Sequence, residues 1–263
     1  MGFYYNKQLG QNFLQDSEIA QQIVSAAGDL KDCNVIEIGP GFGILSKIIV
    51  NYPVKQLISI EKDRRFVAIY EDLMQKYGEK CKIINADALS IDEREIVAKP
   101  VKIIANLPYN ISTILLFKWI EYINFFNKLT LMFQKEVAER ITSSPGSKSY
   151  GSISVIVQWL CEVKYEFAVP ARLFKPQPKV NSAVISIIPR AKPAIEACRE
   201  TLQKITKMLF SHRRKMLRVS LRQITNSAKE VLNQTNIEET LRPEELTIEQ
   251  FCSLANAIDR LSE

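Results

Sequence analysis

Short apolar segments alternate with amphipathic helical patterns along the first part of the chain, and this alternation limits the fold more than any other feature. Five segments are brief and apolar and end in turn or polar residues, which predicts strands: NVIEIG, QLISIE, KIINAD, VKIIAN and KLTLMF. The stretches between them, such as residues 15–29 and 64–78, carry a helical spacing of apolar residues and end near glycine. Strands that alternate with helices need crossover connections. The pattern therefore predicts a mostly parallel sheet covered on both faces.

A second pattern begins near residue 190. EVKYEFAV and NSAVISIIP predict a late pair of strands that adds an antiparallel edge, and beyond the prolines at 189 and 193 only helical patterns remain. We therefore predict a doubly wound α/β domain over residues 1–190 and a small all-helical domain over 191–263. Within the second domain, Arg214, Arg218 and Arg222 are spaced to form a basic stripe on one helix face.

Charge suggests the class of partner. The formal net charge is +6 and the sequence pI is about 9.0. Between Glu200 and Glu230 there is no acidic residue, whereas eight lysines and arginines lie there: Lys204, Lys207, Arg213, Arg214, Lys215, Arg218, Arg222 and Lys229. Such a block is typical of a surface that binds a polyanion. The alternative is an ordinary solvated helix face.

Several function classes are disfavoured. The chain has one histidine, His212, so neither a Ser-His-Asp mechanism nor a multi-histidine metal site is expected. Its five cysteines have wide, irregular spacing, which indicates reduced thiols in a cytoplasm rather than disulfides. No apolar run approaches the roughly 20 residues that span a bilayer, and the opening stretch MGFYYNKQLGQNFL lacks the order of a signal peptide.

A glycine-rich turn and two acids mark one edge of the predicted sheet. EIGPGFG brings Gly39, Gly41 and Gly43 to a strand-to-helix turn, where the backbone can approach a ligand closely. Glu61 ends the second strand, where a carboxylate can bind both ribose hydroxyls of a nucleoside. Asp87 follows the third and can accept a hydrogen bond from an adenine amine. The alternatives are a tight turn without a ligand, and acids that are solvated or cap a helix.

The fourth strand ends in Asn-Leu-Pro-Tyr, a sequence suited to holding a planar amine. An exocyclic amine is a poor nucleophile because its lone pair is delocalised into the ring. The Asn106 side-chain oxygen and the Leu107 carbonyl can accept hydrogen bonds from both of its N–H groups, which localises that lone pair. Pro108 restrains the backbone at Leu107, and Tyr109 offers a face on which a base can stack. The alternative is an ordinary turn after a strand.

In this order, the glycine turn, the two acids and NLPY resemble a class I S-adenosylmethionine-dependent methyltransferase of the branch that methylates exocyclic amines. The blocks LGQNFLQD, EIGPGFG, ANLPYNIS, FQKEVAERI, YGSISVIVQ, LFKPQPKVNSAVISIIP and FSHRRKMLRVSL are similar to those of the KsgA-type ribosomal RNA adenine dimethyltransferases over nearly the whole chain. The resemblance implies a Rossmann-like, mostly parallel seven-stranded sheet followed by a small helical domain.

The resemblance also implies roles for individual residues. S-adenosylmethionine, released as S-adenosylhomocysteine, would be bound without a metal by Gln11, Asn12, Leu14, Gly39, Gly41, Glu61, Asp87 and Asn106. The flipped adenosine would be framed by Asn106, Leu107, Pro108 and Tyr109, with Phe174 on its opposite face. The RNA phosphates would be contacted by Arg213, Arg214, Lys215, Arg218 and Arg222. For Phe174, the alternative is a core residue that anchors its loop.

The substrate implied by the resemblance is the hairpin loop near the 3′ end of small-subunit (16S) rRNA, in an immature 30S subunit. Two adjacent adenosines there would each receive two methyl groups at N6 from an enzyme that is expected to be monomeric. The chain departs from the family's usual pattern at Met216 and Val219, where threonine and asparagine are usual, and at Ser46, where threonine is common.

Three other functions remain open from the sequence. A large-subunit rRNA methyltransferase of the erythromycin-resistance type shares the fold and a very similar N-[IL]-P-Y motif. A ribosome-assembly factor could keep the fold without catalysis, although the intact NLPY motif argues against this. A nicotinamide-dependent dehydrogenase is disfavoured because the G-x-G-x-G spacing differs from the dinucleotide pattern and Pro40 removes an amide.

Overall fold

The computed structural model of the protein describes residues 10–261. Most of the opening stretch MGFYYNKQLGQNFL, including Leu9 of the LGQNFLQD block, lies outside the described residues. Contacts divide the chain into two compact units, one of Met1–Ala138 with Lys164–Pro189 and one of Glu139–Val163 with Arg190–Glu263. No helix in the described part of the chain is long and apolar enough to cross a membrane.

Nine strands form two sheets within the described residues. In chain order they are β1 Phe13–Leu14, β2 Asn34–Ile38, β3 Gln56–Glu61, β4 Cys81–Asn85, β5 Val101–Asn106, β6 Lys128–Gln134, β7 Cys161–Val169, β8 Phe174–Lys175 and β9 Ser182–Pro189. The large sheet has the order β4-β3-β2-β5-β6-β9-β7, and β1 pairs with β8 in a separate two-stranded sheet. Strands β2 to β6 pair in parallel, and β9 runs antiparallel to β6. The predicted seven-stranded, mostly parallel sheet with an antiparallel edge is confirmed.

Eleven α-helices complete the described chain. They are α1 Ser17–Ala26, α2 Ile44–Ile49, α3 Arg64–Tyr77, α4 Glu93–Ile96, α5 Ser112–Ile120, α6 Lys135–Thr142, α7 Ser152–Leu160, α8 Arg199–Ser211, α9 Leu217–Ser220, α10 Ala228–Thr235 and α11 Ile248–Arg260. All regular elements that begin after residue 190 are helices, as the sequence predicts.

The core of the first unit explains why the strand segments are apolar throughout. Every residue of β2 is buried, and so is every residue of β3 after Gln56. Helix α1 packs on α2 and β6, and its apolar stripe, with Ile23 and Val24 fully buried, joins one core cluster with residues of the strands. Its first turn is capped by Asp16, whose side chain accepts a hydrogen bond from the Ile19 amide at 2.9 Å.

The second unit includes a segment that the sequence assigns to the first domain. Helix α7 packs on α8 and α11. Ser152 donates a hydrogen bond to the Thr206 hydroxyl at 3.1 Å, and the Trp159 indole donates one to the Ile195 carbonyl at 2.7 Å. These contacts group residues 139–163 with the C-terminal helices, so the structural division differs there from the predicted boundary at residue 190. Hydrophobic patterning shows that α7 is buried, but it does not show against which helices.

The predicted helical stripe of three arginines is wrong. Helix α8 ends at Ser211, and Arg214 lies in the connection to α9 rather than on one helix with Arg218 and Arg222. After Ser211 the backbone leaves the α-helical pattern, since the amides of His212 and Lys215 donate to the carbonyls three residues earlier. The chain then starts a new helix, whose first amides at Leu217 and Arg218 donate to the carbonyls of residues 241 and 239.

Candidate active site

A cavity of about 150 Å³ lies at the carboxyl ends of β2, β3, β4 and β5. Most of the residues predicted for the donor and the target base line it: Gln11, Asn12, Leu14, Gly39, Glu61, Asp87, Asn106, Leu107, Pro108 and Tyr109. Gly41 and Phe174 are not among its lining residues. This edge is where open α/β sheets bind ligands, because the loops that follow neighbouring parallel strands meet there.

The loop after β2 needs its glycines. Gly39, Gly41 and Gly43 have φ values of 63°, 53° and 72°, in the left-handed region that a Cβ atom disfavours. At Gly41 a Cβ would also lie 2.6 Å from a ring carbon of Phe13, which is too close for any carbon contact. Glycine is therefore required at Gly41 both by the backbone conformation and by the Phe13 ring beside it.

Three phenylalanines pack beside this loop. The ring centroid of Phe13 lies 4.9 Å from that of Phe42 and 5.0 Å from that of Phe66, and the Phe42 and Phe66 rings meet edge to face at 5.2 Å. Such geometries are favourable for aromatic pairs. The sequence does not reveal this cluster, because its members lie in three separate segments and share no helical or strand periodicity.

Glu61 connects the end of β3 to the glycine loop. Its side chain is 7% exposed and accepts a hydrogen bond from the Asp63 amide at 2.8 Å and another from the Gly41 amide at 3.4 Å. Burial raises the pKa of its carboxyl group above the ordinary value, which the two amides partly offset. Glu61 thus supports the loop at the same time as it lines the cavity.

Asp87 is held in place by two donors. One carboxylate oxygen accepts a hydrogen bond from the Leu89 amide at 2.9 Å and the other accepts one from the Lys62 ammonium at 2.7 Å. The Lys62 contact lowers the pKa of Asp87, so the carboxylate is ionised at neutral pH. Lys62 also lines the cavity. Sequence analysis missed it, although its position directly after Glu61 places it at the same edge.

Glu37 is a second residue that the sequence analysis missed. It lies within β2, is 1% exposed and lines the cavity. One of its oxygens accepts hydrogen bonds from Ser46 at 2.5 Å, Ser59 at 3.2 Å and Tyr70 at 3.2 Å. Burial raises its pKa to about 7. An acid between two isoleucines in NVIEIG was the available signal, since a charge in a buried strand needs polar partners.

The NLPY corner begins at the last residue of β5. The Asn106 side-chain nitrogen donates a hydrogen bond to the Asn12 carbonyl at 3.1 Å, which sets the orientation of the amide. Within residues 10–261, no hydrogen bond is made to the Asn106 side-chain oxygen or to the Leu107 carbonyl. Two acceptors at the cavity are therefore available to a ligand with two N–H groups.

The segment before α1 connects separate parts of the site. Gln11 donates a hydrogen bond to the Asp63 carboxylate at 2.8 Å, on the side of β3. Leu14 pairs with Phe174 across the two-stranded β1–β8 sheet. Residues 11–14 thus contact both the predicted donor site, through Gln11, and the loop predicted to hold the base, through Leu14.

Phe174 lies beside the site rather than in the lining of the cavity. It is 4% exposed and belongs to the core cluster that contains Leu14, Val169 and Val184. This position agrees with the alternative that Phe174 anchors its loop. Stacking of its ring on a base stays a prediction.

The predicted RNA-binding residues differ in their freedom to bind. Arg213 donates hydrogen bonds to Glu244 at 2.5 and 2.9 Å and to the Lys148 carbonyl at 2.9 Å, so it has a structural role. Arg218 pairs with Glu239 at 3.2 Å, and both side chains are about half exposed. Three exposed cations among them have no acidic partner within the described residues: Arg214, Lys215 and Arg222. We term these three residues and Arg218 the basic patch.

Comparison with protein families gives a match to the family described as ribosomal RNA adenine dimethylase over residues 2–260. A relative from Wolbachia sp. subsp. Drosophila simulans (strain wRi), named ribosomal RNA small subunit methyltransferase A, is 51% identical over 255 residues. That alignment covers 97% of this chain and 94% of the relative.

Two solved structures share the fold. A dimethyladenosine transferase from Plasmodium falciparum superposes with a TM-score of 0.83 at 24% identity, covering 95% of this chain and 98% of that chain. The 23S rRNA methyltransferase ErmE superposes with a TM-score of 0.74 at 25% identity, covering 94% and 99%. The class I methyltransferase fold predicted from the sequence is confirmed.

We predict that Gly41→Ala destabilises the protein more than Gly28→Ala does. Both residues have positive φ, so each alanine costs about 1–2 kcal/mol in backbone strain. Only at Gly41 does the new methyl group meet another side chain, since no atom lies within 4 Å of a Cβ at Gly28. Urea unfolding of both variants measures the difference. Equal decreases in unfolding free energy would show that the Phe13 ring moves aside without cost.

We predict that the unfolding free energy falls as pH rises from about 5 to about 7. The folded state holds the Glu37 proton up to a pKa of about 7, whereas the unfolded chain releases it near the ordinary value of 4.5. The protonated Glu37 therefore stabilises the folded state fully below pH ~4.5. Up to about 3 kcal/mol of unfolding free energy is lost as the pH rises from there to about 7. Urea unfolding at several pH values measures this slope.

Glu37→Gln should remove most of the slope, and the raised pKa of Glu61 should leave a remainder of the same sign. Glu71→Gln is the matched control, because Glu71 is exposed on α3 and should keep the wild-type slope. An unchanged slope in Glu37→Gln would contradict the assignment to Glu37.

Proposed function

The chain belongs to the ribosomal RNA adenine dimethylase family, and we propose that it methylates small-subunit rRNA. The enzyme transfers methyl groups from S-adenosylmethionine to the N6 amines of two adjacent adenosines in the 3′-terminal hairpin loop of 16S rRNA. The relative that is 51% identical over 97% of this chain is named a small-subunit rRNA methyltransferase, which supports this choice of substrate.

The two acceptors at the NLPY corner that no group of residues 10–261 uses are the observation that carries the proposal. The Asn12 carbonyl accepts the hydrogen bond from the Asn106 side-chain nitrogen, so the Asn106 oxygen is the atom left for the substrate. With the Leu107 carbonyl it accepts both N–H groups of an adenine N6 amine, which favours a pyramidal nitrogen with a localised lone pair. Tyr109, which lines the same cavity, supplies a face for the base.

The residues around the cavity fit S-adenosylmethionine. Gly39 lines the cavity with a positive φ, so a ligand can approach its backbone without meeting a Cβ atom. The Glu61 carboxylate suits ribose hydroxyls, and the ionised Asp87 carboxylate suits the adenine amine. The donor supplies a methyl group already activated by its sulfonium charge, so the residues of this chain act mainly by positioning.

No strong general base is needed in the cavity. The N6 nitrogen becomes acidic once it is alkylated and can lose its proton to water. The acids of the cavity already have other partners, since Glu37 accepts three hydroxyl hydrogen bonds and Glu61 accepts two amide hydrogen bonds. Asn106 and the Leu107 carbonyl therefore act as hydrogen-bond acceptors rather than as bases.

The basic patch is proposed to contact rRNA phosphates. Its cations without an acidic partner in the described residues, Arg214, Lys215 and Arg222, can each replace a counterion of the RNA. Arg213 is proposed to stabilise the local structure through its ion pair with Glu244 rather than to bind a phosphate directly. The natural substrate is proposed to be an immature 30S subunit, which the enzyme modifies in the cytoplasm as a monomer.

The large-subunit enzymes of the erythromycin-resistance type are the other candidate function, because ErmE superposes over 94% of this chain. The two substrates can be compared directly. Tritiated methyl transfer is measured to unmodified small subunits and to naked large-subunit rRNA, and the labelled nucleotides are mapped. Label confined to two adjacent adenosines of the small subunit supports the proposal. Label found only in large-subunit rRNA would overturn it.

We predict that Asn106→Ala lowers methyl transfer by about a hundred- to a thousandfold, because it removes an acceptor aimed at the reacting nitrogen. Binding of rRNA should change little. Asn51→Ala is the control, since Asn51 is exposed after α2 and does not line the cavity. Turnover within a few fold of the wild-type value in Asn106→Ala would refute the role of this amide.

We predict that Arg214→Glu with Arg222→Glu weakens rRNA binding and reduces the salt dependence of that binding. Each phosphate that the protein no longer neutralises lowers the slope of log affinity against log salt by about 0.7–0.9. The control is Lys31→Glu with Lys55→Glu, which makes the same charge change at two exposed lysines of the first unit. Equal slopes in the two double variants would show that the basic patch does not contact the RNA phosphates. Affinity for S-adenosylmethionine should stay unchanged in both.

A further inference from the structure

The side chain of Tyr109 is anchored at its hydroxyl end by a residue outside the NLPY motif. The Tyr109 hydroxyl and the Ser182 hydroxyl share a hydrogen bond of 2.6 Å. Ser182 is the first residue of β9 and is fully buried, and it lies opposite Gln134 of β6 in the antiparallel pair. The contact joins positions 73 residues apart, and neither segment suggests it by its sequence.

The backbone of Tyr109 is anchored as well. Ser112, in the first turn of α5, donates a side-chain hydrogen bond to the Tyr109 carbonyl at 3.1 Å. The Ile111 amide donates one to the Pro108 carbonyl at 3.1 Å. Because the hydroxyl lies at the far end of the side chain, a fixed backbone and a fixed hydroxyl hold Tyr109 in one χ1 rotamer and set the direction in which its ring points.

The Tyr109 hydroxyl is therefore not available as an acid, a base or a hydrogen-bond partner for a ligand. Its short bond to Ser182 engages it away from any ligand, and burial raises the pKa of Tyr109 above its ordinary value, which keeps the group neutral. What Tyr109 offers to the cavity is therefore the surface of its ring.

We propose that Ser182 is a positioning residue that holds the Tyr109 side chain in one χ1 rotamer, so that its ring stays beside Asn106 as a wall for the target adenine. The inference rests on the proposed function, in which the base stacks on Tyr109. A side chain that is ordered before the substrate binds loses less entropy when the base arrives, and it determines where the base lies relative to Asn106 and the Leu107 carbonyl. Ser182 acts only through Tyr109 and does not touch the base.

A double-mutant cycle tests the proposal. Ser182→Ala and Tyr109→Phe each remove the same hydrogen bond, and each should lower kcat/KM for small subunits by about two- to tenfold. The double variant should show the decrease of one single variant, not the product of both. Tyr109→Ala should lower kcat/KM far more, because it removes the ring. Affinity for S-adenosylmethionine should not change in Ser182→Ala.

Ser186→Ala is the matched control. Ser186 is a buried serine of the same strand, four residues or ~13 Å further along, and its removal should leave kcat/KM at the wild-type value. Decreases in Ser182→Ala and Tyr109→Phe that multiply in the double variant would overturn the proposal, and so would a Ser182→Ala variant with wild-type kcat/KM. Thermal unfolding of each variant verifies that it is folded.

A structural readout separates this inference from the proposed function. Crystal structures should show the Tyr109 side chain in one χ1 rotamer in the wild type, and in a different rotamer or in two rotamers in Ser182→Ala. An unchanged single rotamer in Ser182→Ala overturns the positioning role, whatever the enzyme methylates. A wild type that transfers no methyl group to small subunits overturns the proposed function instead.

Discussion

Both faces of the central sheet are buried, and this constraint determines where a ligand can bind. Strands β2 and β3 have almost no exposed residue, so side chains within them are unavailable to a ligand unless they border the cavity. Polar groups that act on a ligand therefore gather where the parallel strands end. Glu61 and Asn106 are the last residues of β3 and β5, and Asp87 follows β4 by two residues. The site is a consequence of the sheet as much as of its own residues.

The acids at this edge of the sheet differ in charge because their surroundings differ. Burial raises the pKa of Glu37 and Glu61. Asp63, beside Arg65, has its pKa lowered to about 2, and Lys62 lowers the pKa of Asp87. The two buried acids are held by hydrogen bonds from neighbouring hydroxyl and amide groups, whereas each ionised acid is paired with a cation, Asp63 with Arg65 and Asp87 with Lys62.

The basic patch illustrates how neighbouring cations differ in role. Ion pairing engages Arg213, while Arg214 stays exposed and unpaired within the described residues. Met216 and Val219, the two departures from the family's usual pattern, are 37% and 42% exposed in the same segment. They therefore do not disturb the core of the helical unit, and any effect they have is confined to its surface. The departure at Ser46 is equally mild, since its hydroxyl still donates to Glu37.

The sequence by itself determined the order of strands and helices along the chain, the glycine turn and ten of the residues that line the cavity. It could do so because local apolar spacing and strand-end positions follow from the period of each element. Only the tertiary structure decided which distant groups meet: Glu37 with Tyr70, Tyr109 with Ser182, and Phe174 with the core rather than the cavity. The same holds for the start of α9, where the amides of Leu217 and Arg218 find acceptors at residues 241 and 239. Contacts between segments far apart in the chain depend on the packing of whole elements, and no local pattern records them.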